Sequence, residues 1–292
     1  MNNENANAMK KISKFICVVM AVIIAFNVLD FTLSEITDTK AYADAVCDDD
    51  GWNEVAEKIE NEQELSEDDY ATILSQSGLG RPVVDSLLSQ QVGMDYLNYY
   101  RDYYVADKDY YCYRKGVFAC HEVITDPTGE RLQNPDFADL QNGDIIVTLS
   151  IHSLGWRHGH ATIVTDAENG VGVQAVMIGE KSSYSYVWEW SNYPMVAVLR
   201  PKNVDESTRD RVALFAQENL VGLNYSLLGG VFSGRDAQKV PSGTQCAHLV
   251  WYAYKACGID IAPESGLAIT PKDFLDSPNL EVVQVYGNIL EV

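Results

Sequence analysis

Cys246 opens a run whose pattern is that of a helix with one buried stripe. Leu249, Val250, Ala253 and Cys257 follow it at offsets of three, four, seven and eleven. Gly258 stops the pattern, and Pro241-Ser242-Gly243-Thr244-Gln245 before it reads as a loop. A helix of this kind needs an apolar surface to lie on, and the preceding hundred residues offer strands for it. Gly143-Asp144 opens a strand from Ile145 to Leu149. A second runs from His160 to Thr165, turns at Asp166-Ala167-Glu168-Asn169-Gly170 and returns from Val171 to Ile178 as a hairpin. Tyr184 to Trp190 and Met195 to Arg200 read as two more. Asp205-Glu206-Ser207 caps a helix that runs through Val212, Phe215 and Leu220 to Gly222. Residues 136–292 are therefore expected to form an α+β domain, an antiparallel sheet packed on helices.

Residues 44–135 read as a small N-terminal helical region. Ser66-Glu67-Asp68-Asp69 caps a helix carrying Tyr70, Ile73 and Leu74. Gly78-Leu79-Gly80 turns, and Pro82 starts a second helix with Val83, Val84, Leu87 and Leu88. Val92 to Tyr104 is a third, with a tyrosine stripe of the kind that packs a core. The acidic stretches at 48–50 and 60–69 read as solvated. Asp126-Pro127-Thr128-Gly129 and Asn134-Pro135-Asp136 are turn chemistry, which puts the boundary at 135.

Residues 1–43 have the layout of an export signal. Lys10, Lys11 and Lys14 precede a largely apolar stretch from Phe15 to Phe31, and Ala41-Tyr42-Ala43 is a small-x-small cleavage pattern. Asn27 and Asp30 interrupt the apolar run, which is short for a full span, so cleavage is expected over an anchor. The mature chain is then expected to be secreted, extracellular or associated with the cell wall, without stable membrane association. Five cysteines remain after Cys17 is removed. Cys112 and Cys120 are close enough in sequence to pair, and an odd number leaves one free thiol. The net charge of −21 repels phosphate backbones and anionic lipid heads, which excludes nucleic acid as a partner.

Cys246 is the first candidate for chemistry. At a helix start, orphan N–H groups and the macrodipole are expected to lower its thiol pKa and expose a nucleophile. His160, at the head of a strand, is the candidate base. It needs a polar group on its other ring nitrogen; Gln174 on the returning strand is the leading choice and Glu180 the second. His158 shares the strand face by alternation and competes for the role, although Trp156, Arg157 and Gly159 around it suggest a loop entering the site. His248 points to another helix face, and His121 and His152 read as surface or core residues. No ligand spacing supports a metal site, Leu228-Gly229-Gly230 lacks the remainder of a phosphate loop, and no cofactor is expected.

In combination, these stretches resemble a known group. Gly143-Asp144-Ile145-Ile146, Gly155-Trp156-Arg157-His158-Gly159-His160-Ala161-Thr162-Ile163-Val164, Gly222-Leu223-Asn224-Tyr225 and Cys246-Ala247-His248-Leu249-Val250-Trp251 look like the permuted papain-like amidases of the YiiX/YycO type, circularly permuted relatives of NlpC-type cell-wall endopeptidases. Gly78-Leu79-Gly80 and Ile269-Thr270-Pro271-Lys272-Asp273-Phe274-Leu275 are similar too. The resemblance implies a permuted papain-like domain, histidine strand first and cysteine helix last. It places the nucleophile on Cys246, the base on His160 and the third polar residue on Gln174. Tyr225 is expected near the oxyanion, and His158, Trp156 and Gln245 beside the substrate. The chain departs from the pattern at Ala247, where serine is usual, at Gln245, and at Gln174, where permuted members often carry glutamate. The implied function is a monomeric cysteine peptidase or amidase acting on a peptide, with peptidoglycan stem peptide as one candidate, or on an acyl amide. An acyltransferase or lipid hydrolase on the same site, and a silent extracellular binding module, are the alternatives.

Overall fold

The computed structural model describes residues 12, 14–26, 28, 29, 47–90, 94–106, 120–126, 128–153, 156–231, 237, 239–263 and 266–290, together with the backbone of 109–114. Residues 14–26 are helical (α1) and largely exposed, and no described helix is long and apolar enough to cross a membrane. The Ala41-Tyr42-Ala43 pattern lies outside the described residues.

The protein is a mixed α+β structure built on a six-stranded antiparallel sheet. Its strands are β3 (Ile145–Thr148), β5 (His160–Asp166), β6 (Val171–Gln174), β7 (Ser183–Tyr186), β8 (Val196–Pro201) and β11 (Leu280–Tyr286), in the order β11-β8-β3-β5-β6-β7. Both faces are covered, so the central strands β3, β5 and β8 are buried along nearly their whole length rather than on alternate residues. One face carries α6 (Glu206–Asn219) and α7 (Cys246–Ala256). Ile145, Val147, Ala161, Ile163 and Val173 pack there against Val212, Ala216, Leu249, Val250 and Ala253. The other face carries the N-terminal helices α2 (Asp49–Glu60), α3 (Glu67–Ser77), α4 (Arg81–Ser89) and α5 (Met94–Tyr104). Trp52, Ile73, Val83 and Leu97 meet Ile146, Val164, Val198 and Val283 there.

Several local signals act as expected. Ser66 and Asp69 form a full capping box at the start of α3. Gly78 ends that helix with φ 72°, and the next two residues run along β11. Val285 N–H donates to Gly78 O and Gly80 N–H to Val283 O, at 2.7 and 2.8 Å. A side chain at Gly80 would put its Cβ 1.9 Å from Val282 O, so only glycine lets the backbones approach this closely.

Other expectations are corrected. The 44–135 region is not wholly helical: β1 (Asp109–Arg114) and β2 (Cys120–Thr125) pair as an antiparallel hairpin, joined by the short β4 (Ile151–His152). Its register sets Cys112 opposite Glu122 and Arg114 opposite Cys120, so the two cysteines do not face each other across the hairpin, and Cys120 is buried. The acidic residues at 48–50 are exposed as expected, and they also cap and open α2, which buries Trp52 and Val55; at the end of the 60–69 stretch Asp69 is instead buried. The returning hairpin strand stops at Gln174 instead of Ile178, leaving Val176, Met177 and Ile178 exposed. Beyond Tyr186 the chain enters a 3₁₀ turn, Val187–Asn192.

A buried ion pair ties the sheet to the loop ahead of β3. Arg200 on β8 grips both oxygens of Asp144 at 2.8 Å and reaches Asp139 at 3.2 Å. Burial raises the Asp144 carboxyl despite Arg200, the chief opposing influence. Tyr254 at the far end of α7 donates to the Gly143 carbonyl. The helix that begins with Cys246 is thus anchored to the loop that opens β3.

Candidate active site

One end of the sheet gathers the residues of interest. β5 begins there with His160, β6 ends there with Gln174, and the N-terminus of α7 arrives with Cys246. Gly159 makes the entry to β5 possible: its φ is 65°, and a Cβ would lie 2.4 Å from Thr148 O.

Gln174 holds the imidazole. Its Oε1 lies 2.6 Å from His160 Nε2, with the two residues on the adjacent strands of the hairpin. This gives the polar partner to Gln174 rather than to Glu180, whose side chain is exposed. The His160 ring also lies flat on the indole of Trp190, centroids 5.2 Å apart and planes 5° from parallel. Trp190 is 2% exposed and sits in the core shared with the N-terminal helices. Sequence reading missed this residue as part of the site, because it reaches His160 from the 3₁₀ turn after β7 and no spacing along the chain encodes the contact.

Cys246 is 8% exposed. Burial pushes its thiol up to about 11, while the backbone N–H groups of Ala161, Ala247 and Cys246 itself pull it down. The expected lowering at the helix start is therefore outweighed, because removing the sulfur from water disfavours the thiolate more than three N–H groups favour it. The Ala161 contact sets the sulfur against the backbone of β5, one residue past His160. At rest the thiol donates to Gln245 Oε1 at 3.4 Å rather than to the imidazole.

Gln245 is the N-cap of α7. Its Oε1 accepts from Ala247 N–H at 2.8 Å, and its Nε2 donates to Ile269 O at 2.6 Å. The amide hydrogens expected to face substrate are thus engaged by the backbone ahead of α8 (Pro271–Leu275). Tyr225 stands beside the thiol: burial first, then the Cys246 charge, raise its hydroxyl to about 12. Pairing of β9 (Asn224–Tyr225) with β10 (Gly243–Thr244) sets Tyr225 opposite Thr244, two residues before the cysteine.

His158 is engaged within its own loop. Its ring nitrogens meet Ser153 Oγ at 3.2 Å and Gly159 O at 3.1 Å. Trp156 packs edge-on against His158 and is 68% exposed at the mouth of that loop. His248 is buried beneath Gly230 with Nδ1 2.9 Å from Thr244 Oγ1, and burial lowers it to about 4. His152 proves to be part of a buried cluster, 3.1 Å from Glu122, which also meets Arg157 at 2.8 Å. Among the described residues no group of three or more His, Cys, Asp or Glu side chains is placed to hold a metal ion.

No protein-family model matches the chain, and no curated protein does. Among solved structures it is similar to the crystal structure of the metalloprotein YiiX from Escherichia coli O157:H7. Identity is 16%, the match spans 49% of this chain and 96% of that one, and the TM-score is 0.39, a distant structural relationship.

Proposed function

We propose that the protein is a secreted cysteine hydrolase that cleaves an amide bond, on a circularly permuted papain-like domain. The observation that carries this reading is the convergence at one sheet end. Cys246 Sγ meets the Ala161 N–H at the head of β5, and His160, the residue before it, has its Nε2 fixed by Gln174. With Nε2 so held, proton exchange with sulfur falls to Nδ1. The S–H leaves Gln245 Oε1, His160 takes the proton, and the sulfur attacks the carbonyl carbon. The backbone N–H of Cys246 and the Tyr225 hydroxyl receive the negative oxygen, each such donor being worth about 3 kcal/mol. His160 then protonates the leaving nitrogen, and water, activated by the same ring, releases the acid.

A second reading keeps the dyad and changes the acyl group. Trp156, Met177, Ile178, Leu227 and Leu228 are all large, apolar and at least half exposed, and they lie on the loops next to His160, Gln174 and Tyr225. Side chains of this kind favour an acyl amide or lipid ester over a polar wall peptide.

Incubating the chain with purified wall fragments and with an acyl-amide library, products read by mass, tests both. Cys246→Ala should abolish turnover with the melting temperature kept. Turnover that survives this substitution overturns the nucleophile assignment.

A further inference from the structure

The third residue beside the proposed dyad is an amide. A carboxylate at that position would add a full negative charge to stabilise the imidazolium formed when sulfur gives up its proton; Gln174 supplies only a dipole. Something else must lower the cost of putting charge on His160 in a nearly water-free place.

Two described side chains lie directly against the ring. Gln174 Oε1 comes from β6, in the ring plane, at 2.6 Å. The Trp190 indole comes from the 3₁₀ turn and covers one ring face. Beyond Ala161 lies the Cys246 thiol on α7, with Tyr225 of β9 beside that sulfur. His158, two residues back, faces its own loop. The indole is itself immobilised, with Tyr193 edge-on at 6.0 Å and the neighbouring Ser191 carbonyl accepting from Asn134 N–H at 2.8 Å. A cation 5.2 Å from an indole centroid lies within the range where the negative π face attracts it, and burial strengthens that attraction.

We infer that Trp190 is a positioning residue for His160: its indole face stabilises the imidazolium and takes the part that a carboxylate would play in place of Gln174. This rests on the reading of His160 as the base, and it adds a residue that neither the motif nor the hydrogen-bond network contains. Its second effect is steric. A ring clamped in plane by Gln174 and from one face by Trp190 keeps Nδ1 directed along one line.

The test is a titration that does not depend on turnover. The His160 imidazole is followed by NMR in ring-labelled full-length chain, its signal assigned among the five histidines with His160→Gln. Trp190→Leu should lower its titration midpoint by roughly 0.4 to 1.5 pH units, the range that a cation–π contact represents. Trp190→Phe should recover part of the loss. Should the leucine variant fail to fold, fluorinated tryptophan in all five Trp positions keeps the volume while weakening the π face, and the midpoint should fall stepwise with fluorine number. A midpoint that stays put in Trp190→Phe and across the fluorinated series, with only the melting temperature lowered, overturns the inference and leaves Trp190 as packing. Hydrolysis that persists in His160→Gln would sink the underlying reading instead, whatever the titration shows.

Discussion

The resting state of Cys246 makes a demanding prediction. Its thiol is raised from 9.0 to about 11, with burial as the main cause. That difference corresponds to ~3 kcal/mol in favour of the neutral form. Near pH 7.5 the thiolate is then on the order of one molecule in a few thousand. Alkylation by iodoacetamide should therefore be slow at neutral pH and should climb about tenfold per pH unit to beyond pH 9, without a plateau near 7. The assay is the alkylation rate at each pH, mapped by mass to individual cysteines, and slope rather than absolute rate is read because a buried sulfur reacts slowly with any reagent. Cys257 is the internal comparison; its thiol is also raised by burial, although it is only half-buried. Cys246 should lag Cys257 at neutral pH, the reverse of what its place at a helix start suggests. A plateau reached below pH 8 with Cys246 labelled first would show a preformed thiolate and refute the claim that desolvation governs this sulfur. Stability carries the same sign. A raised folded-state pKa favours folding in full below the unfolded pKa, and that contribution is lost as pH rises toward 11.

Gln174→Glu should raise kcat/KM roughly fivefold and move the acid limb upward, since a charge-assisted bond to His160 gains about 1 kcal/mol over a neutral one; an unchanged pH profile would show that His160 does not carry charge in the rate-limiting step. Asp144→Ala leaves the buried Arg200 with only Asp139 as a charged partner and should cost up to about 3–5 kcal/mol in a denaturant melt; a cost under 1 kcal/mol would mean that Asp139 or water compensates the guanidinium in full. His248 is held near 4, below its unfolded value, so its contribution is present above about pH 6.5 and lost as pH falls toward 4. The melting temperature should fall over that window less steeply in His248→Gln than in the parent, and parallel curves would remove His248 as the cause.

The parts of the fold with a strong period were legible. The α7 stripe and the β5–β6 hairpin each follow one pattern over several residues, and they place Cys246, His160 and Gln174 at one end. Gln174 was readable as the polar neighbour of His160 because a hairpin puts the two side by side with no long-range folding required. What was missed depends on distance or burial. The β1–β2 hairpin lies in a tyrosine-rich stretch whose composition suits helix packing equally well. In α2 only Trp52 and Val55 are buried, so charges hide the stripe. The role of Gln245 turns on Ile269 O, on the far side of α7, and that of Trp190 on a contact across the β6–β7 edge. No local spacing encodes either.

The thiol also shows why motif reading misjudged the electrostatics of the residue it singled out. A helix N-terminus is worth about 0.3–1 kcal/mol to a nearby anion at the surface and ~2 kcal/mol at best when partly buried. Desolvation of a sulfur that is 8% exposed exceeds that, and the net balance lies on the side of the neutral thiol. The helix start therefore cannot by itself generate the nucleophile. Proton removal has to be coupled to attack, and its cost falls on whatever receives the proton. That moves the decisive chemistry of the proposed site from Cys246 to the surroundings of His160. Two of those surroundings are fixed in the resting fold, an amide oxygen in the ring plane and an indole across the ring face. If the dyad acts, substitutions at Gln174 and Trp190 should be strongly non-additive, because both act on the same imidazolium.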